Sequence, residues 1–229
     1  MKANPENHFC IAQEPPEALG KARAAIVERY MWPRGEKINI KFLEGDTALQ
    51  AKVAAVAKEW TGRGMANLEF DFVDSDDADI RIAFMPGRGS WSYIGTDCQN
   101  YPEGPTMNFG WLTADSSDDE IRRVVLHEFG HAIGLIHEHQ NPKHPIQWNK
   151  DAVERDLSGP PNNWSPEKIK RNMFDKYQPG EVIATDVDKE SIMMYPIPKS
   201  WTTDGFSAGL NSELTDRDKD LVRSVYHWA

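Results

Sequence analysis

An α+β fold is what this sequence predicts, on three observations. Short runs of alternating apolar and polar residues crowd positions 38–111, with one amphipathic helix among them. A second long helix, with a clear start signal, runs from Ser117 to about Gly134. Beyond Gly134 strand signals all but vanish, and helical or irregular stretches rich in tryptophan and proline take over. The expected molecule is a twisted mixed sheet with two long helices in the N-terminal part, followed by a mostly irregular and helical C-terminal lobe.

Residues 1–37 are rich in proline and charge, with one short helical stretch around Lys21–Tyr30, and residues 1–31 read as a lead-in that packs on the domain. The domain proper spans 32–229, with an upper lobe over about 32–134 and a lower lobe over about 135–229. Ile38–Leu43 alternates as a strand. Asp46 caps the next helix, whose Leu49, Val53, Val56 and Trp60 fall on one face and which Gly62 and Gly64 end. Leu68–Val73 and Asp79–Phe84 read as two more strands. The acidic turn between them lacks the glycine and terminal glutamate of a calcium loop, so calcium is unsupported and a solvated turn is expected. A glycine-rich stretch, Gly87–Gly95, leads to a short strand near Thr106–Trp111. Ser117 and Glu120 form a capping box for the second long helix, and Asp118 and Asp119 suit its positive end. Gly134 is placed to stop that helix in the left-handed conformation. Downstream, Ser165 caps and Pro166 starts a short helix, and Thr215 with Asp218 caps the last one.

Charge and composition exclude several classes. Lysine and arginine number 26 against 36 acidic residues, for a net charge of −10, so a phosphate backbone is repelled and no nucleic-acid partner is expected. No apolar run reaches the roughly 18–20 residues that span a bilayer. The first residues also lack the apolar core of a secretory signal, which leaves an intracellular location equally consistent with that end of the chain. Cys10 and Cys98 allow at most one disulfide and have no metal-site spacing.

The chemistry gathers at His127-Glu128-Phe129-Gly130-His131. Imidazoles four residues apart sit one turn apart on the same helix face, so both reach one ion. Neutral imidazole suits zinc. Glu128, beside the first ligand, is placed to hydrogen-bond a metal-bound water without ligating. Gly134 and His137 extend the pattern: the glycine turns the chain sharply, and the third histidine swings back to the metal. Three histidines leave one coordination position open, the arrangement of a catalytic rather than structural site.

The segment HEFGHAIGLIHEH resembles the zinc-binding motif of the metzincins, and Glu138 after the third histidine resembles the astacin branch. Ser191-Ile192-Met193-Met194-Tyr195 resembles the downstream methionine turn of that branch. Trp32-Pro33-Arg34-Gly35, the ADIRIAF strand and the GSWSYIG segment are similar to bacterial and fungal astacin-like or matrixin-like proteases, so the likeness covers roughly residues 30–229. The resemblance implies a metzincin fold with a zinc cleft between the lobes, one catalytic Zn2+, and hydrolysis of protein or peptide substrates outside the cell. It implies that His127, His131 and His137 hold zinc and that Glu128 is the general base. Met193 becomes the turn methionine under the metal, and Tyr195 a tyrosine that ligates zinc at rest and supports the oxyanion. An extended substrate is expected along an edge strand near Thr106–Trp111. The specificity pocket is expected from the lower lobe between Trp148 and Tyr195. The chain departs from astacins at Met194, where histidine is usual, in the run Gln140-Asn141-Pro142-Lys143, and in having two cysteines rather than a full disulfide set.

Some readings stay open on the residues. A catalytically silent, zinc-stabilised binding module would keep the histidines, although it gains nothing from Glu128. Another zinc hydrolase would ordinarily lack the Gly134–His137 extension. Residues 1–31 could form a pro-like segment in which Cys10 occupies the open zinc position, against a structural or disulfide role for that thiol. His139 and His144 follow the motif in a proline-rich loop, where solvent exposure is expected.

Overall fold

The computed structural model describes residues 11–13, 28–141, 146–160, 162–175 and 186–228. Its sheet has six strands: β1 (Ile11–Gln13), β2 (Lys37–Phe42), β3 (Glu69–Phe72), β4 (Ile80–Ala83), β5 (Ser90–Tyr93) and β6 (Met107–Phe109). They lie in the order β1-β5-β6-β4-β2-β3. Every pairing is parallel except β5 with β6, which makes the sheet mixed as expected. Alternation explains the interior strands, since Ile38 and Ile40 of β2 and Ile80 and Ile82 of β4 point into the core.

Two strands escaped the pattern reading. β5 buries Ser90 and Ser92 and leaves Trp91 and Tyr93 half-buried, so its inward face carries the polar residues. Ser90 Oγ accepts a bond from Gly110 N at 3.1 Å, which satisfies the buried hydroxyl. β1 pairs along β5 from Ile11 opposite Trp91 to Gln13 opposite Tyr93. The strand near Thr106–Trp111 is found as β6, but it lies inside the sheet between β5 and β4. Among the described residues the sheet's edges are β1 and β3, so β6 is not the edge strand that the sequence led us to expect. Of the helical stretch expected at Lys21–Tyr30, only the 3-10 turn Glu28–Tyr30 lies among the described residues.

Helix α1 (Thr47–Ala57) begins where the Asp46 carboxylate accepts from Ala48 N and Leu49 N, at 2.9 and 3.1 Å. It tightens into a 3-10 turn at Lys58–Trp60, and its Leu49, Val53 and Trp60 are buried while Val56 is half-buried. The Trp60 indole donates to the Leu126 carbonyl at 2.9 Å, which ties α1 to α2 (Asp118–Ala132). Half of the expected capping box forms at α2. Ser117 Oγ accepts from Glu120 N, but the Glu120 carboxylate turns instead to Arg123 and to the Trp111 indole. At the other end of α2, the Trp32 indole and the Tyr226 hydroxyl each donate at 2.8 Å, to the carbonyls of Ala132 and Ile133.

Past α2 the chain forms α3 (Lys150–Ser158) and α4 (Pro166–Ile169), the latter running into a π-helical turn at Lys170–Phe174. These pack a second apolar core that includes Trp164, Trp201, Met194 and Tyr195. Helix α5 (Asp216–Val225) has a complete capping box from Thr215 and Asp218 and returns to the first core through Leu221, Val222 and Val225. Among the described residues no helix is long and apolar enough to cross a membrane. Trp60→Ala removes a fully buried indole and its bond to α2, and a loss of about 3–5 kcal/mol in urea unfolding is expected; a loss below about 1 kcal/mol would refute its role as the α1–α2 tie.

Candidate metal centre and cleft

His127 and His131 project from one face of α2, with ring centroids 4.9 Å apart and rings nearly perpendicular. The helix stops directly beyond them. Gly134 adopts φ +98°, a conformation that costs a side-chain-bearing residue energy, and Leu135 N reaches back to Gly130 O at 2.9 Å. That reversal carries His137 to the same point, where its Nε2 lies 3.2 Å from His131 Nε2. One ligand atom from each of the three histidines lies within 4.8 Å of the others.

Two backbone carbonyls orient the rings. His127 Nδ1 bonds Ile192 O and His131 Nδ1 bonds Leu135 O, each at 2.8 Å. A carbonyl only accepts, so Nδ1 carries the proton and the Nε2 lone pair is left for a metal. His127 Nε2 is buried with no hydrogen-bond partner among the described residues, a costly state that a metal ion relieves. Burial is the first cause that pushes all three imidazoles toward the neutral form, His131 to about 4 and the others well below the usual range. Neutral and converging, with His127 and His131 preset in tautomer, the donor set fits zinc: nitrogens about 2.0–2.1 Å from one tetrahedral ion stand about 3.4 Å apart.

The remaining expected residues surround this point. Glu128 is fully buried and lines a cavity together with His127, Tyr195 and Met194. The Tyr195 ring lies 4.2 Å from that of His137. Met193 sits under α2, so close that a Cβ on Gly130 would overlap its Sδ. Glu138 is buried behind the site, where it accepts from Asp188 N and Asn141 Nδ2, and burial pushes its carboxyl up to about 7. Its own N–H donates to Met193 O at 2.9 Å, which joins the third histidine's turn to the methionine turn.

Three residues were missed or misplaced at the level of sequence. His139 is buried rather than exposed: it bonds the Asn172 carbonyl at 2.7 Å and packs 4.6 Å from the Tyr195 ring. Gly130 was given no role, and the glycine itself was the available signal. Asp218 was read as a helix cap, yet its carboxylate also reaches the methionine turn. Cys10 and His144 lie outside the described residues, and Cys98 is a buried free thiol.

Comparison with known proteins agrees with this geometry. The family model described as Astacin (Peptidase family M12A) matches residues 26–212. A solved structure of myroilysin is 40% identical, with a TM-score of 0.86 over 90% of this chain and all of that one. A second myroilysin crystal structure is 37% identical, with a TM-score of 0.71 over 96% of this chain and 90% of that one. A hatching-enzyme zinc-protease, high choriolytic enzyme 1 of the medaka fish Oryzias latipes, shares the fold at 15% identity and a TM-score of 0.62, over 91% of this chain and all of that one. A search of the curated proteins finds no significant match.

The contact between Gly130 and Met193 generates a test. Gly130→Ala must displace Met193 or bend α2, and a loss of about 1–3 kcal/mol in thermal unfolding is expected. Zinc should also leave the variant at lower chelator concentration than the wild type. Unchanged stability and zinc retention would show that the close approach is not required.

Proposed function

Because the chain belongs to the astacin family, we propose that it cleaves proteins or peptides at a zinc held by His127, His131 and His137, with Glu128 as general base. The observation that carries this reading is the convergence of three buried imidazoles, with a buried glutamate lining a cavity beside the first of them, His127. When bound, zinc supplies Lewis acidity, which lowers the pKa of a water from about 15.7 to about 7 and polarises a carbonyl. Glu128 takes the proton of the attacking water and delivers it to the departing amine, a shuttle suited to a carboxylate held away from bulk solvent. The Tyr195 hydroxyl donates to the oxyanion that develops on the substrate carbonyl. Met193 fills the space under the ligands, Gly134 makes the turn, and Glu138 anchors the segment behind His137. These roles rest on placement and family resemblance together.

The peptide chain of the substrate adds along β5, which is the sheet's edge apart from β1. β1 occupies that position in the parallel direction. On this reading the segment that carries β1, Ile11–Gln13, is pro-like and withholds the edge. Family resemblance also supports action outside the producing cell, to be checked by locating activity in culture supernatant against lysate.

Denatured casein is the first substrate to try. Glu128→Ala should bind zinc normally and lose cleavage, whereas His137→Ala should lose zinc; turnover that survives in Glu128→Ala would overturn the general-base role. Tyr195→Phe should lower kcat by about 10²–10³ with KM little changed. Removal of residues 1–27 should raise activity on long substrates, and identical activity before and after removal would dispose of the pro-like role.

A further inference from the structure

Asp218 of α5 is 5% exposed, and its carboxylate makes more bonds than a helix cap requires. Oδ2 accepts from Thr215 N at 3.0 Å, which is the cap. The same oxygen accepts from Ile192 N at 3.1 Å, and Oδ1 accepts from Ser191 Oγ at 2.6 Å. Ser191 Oγ in turn accepts from Met193 N at 3.0 Å. That N–H belongs to the same planar peptide unit as the Ile192 carbonyl, which holds His127 Nδ1 at 2.8 Å.

The bonds therefore run in one direction. His127 donates to the Ile192 carbonyl, the Met193 N–H of that peptide donates to Ser191, and Ser191 donates to Asp218. Successive hydrogen bonds that end on a carboxylate polarise one another. A histidine whose Nδ1–H is held this way is fixed in orientation and made a stronger donor at Nε2. We propose that Asp218 is a positioning residue of the metal centre: through Ser191 and the Ile192–Met193 peptide it aims His127 and strengthens it as a ligand. This rests on the reading of His127 as a zinc ligand.

The competing account is that Asp218 only caps α5. Thr215→Ala removes the hydroxyl half of the cap, which accepts from Asp218 N at 3.2 Å and donates to Asp188 Oδ2 at 2.8 Å, and leaves the Ser191 bond in place. Asp218→Asn and Ser191→Ala break the relay. The measurements are zinc affinity by chelator competition, the visible spectrum of the Co2+-substituted protein, and Tm. Asp218→Asn and Ser191→Ala are expected to weaken zinc binding about 10–100-fold and to shift the Co2+ bands. Thr215→Ala should lower Tm and keep wild-type affinity and spectrum.

Wild-type affinity and Co2+ spectrum in both relay variants would overturn the proposal, as would equal loss of affinity in Thr215→Ala. Should Asp218→Asn fail to fold, Ser191→Ala decides the question alone. His127→Ala separates this proposal from the one beneath it. Full zinc affinity in that variant sinks the ligand assignment itself, while its loss alongside normal relay variants sinks only the role of Asp218.

Discussion

The turn at Gly134 is the constraint on which the rest of the site depends. A helix continued past His131 would carry later side chains away from the face that bears His127 and His131. Only a reversal within a few residues returns His137 to that face, and the reversal needs a residue at φ +98°. The ending is also held from outside, because Trp32 and Tyr226 occupy the last carbonyls of α2. Residues from both ends of the domain thus decide where one glycine bends the chain.

Burial then sets the chemistry. Imidazolium is disfavoured in a low-dielectric interior, so the three rings are neutral where their lone pairs are needed. Backbone carbonyls at Ile192 and Leu135 select the tautomer at no cost in added charge. The same burial raises the carboxyl of Glu138 to about 7, although two N–H groups favour its charged form. Desolvation is the larger effect there because the carboxylate is almost wholly enclosed.

Much of this was legible in the residues, for definite reasons. Alternation marked β2, β3 and β4 because isoleucine and phenylalanine face the core on every second position. The spacing of His127, His131, Gly134 and His137 carried the metal centre because helix geometry and one glycine suffice to bring the rings together. β5 was invisible because its buried face carries serines whose hydroxyls bond backbone groups, which inverts the usual pattern. The position of β6 inside the sheet was hidden too, since strand order follows from packing rather than from any one strand. His139 was misjudged because its burial depends on the Asn172 carbonyl, supplied by a π-helical turn far along the chain.

The methionine turn shows how the two cores come to share one site. Ile192 and Met193 belong to the first apolar core, while the next two residues, Met194 and Tyr195, belong to the second. Four consecutive residues therefore stitch the cores together directly beneath the histidines. Met194 N donates to Ser191 O at 3.0 Å, so the chain turns here and passes from the first core to the second between Met193 and Met194. Ser191 fixes the start of that segment through Asp218 on α5, itself part of the first core through its apolar face. Displacement of either core would thus be felt at Ile192 O and Tyr195 before any ligand is lost. The cleft is a seam between two packed bodies, and its geometry is only as firm as the buried bonds at Ser191, Ile192 and Met193.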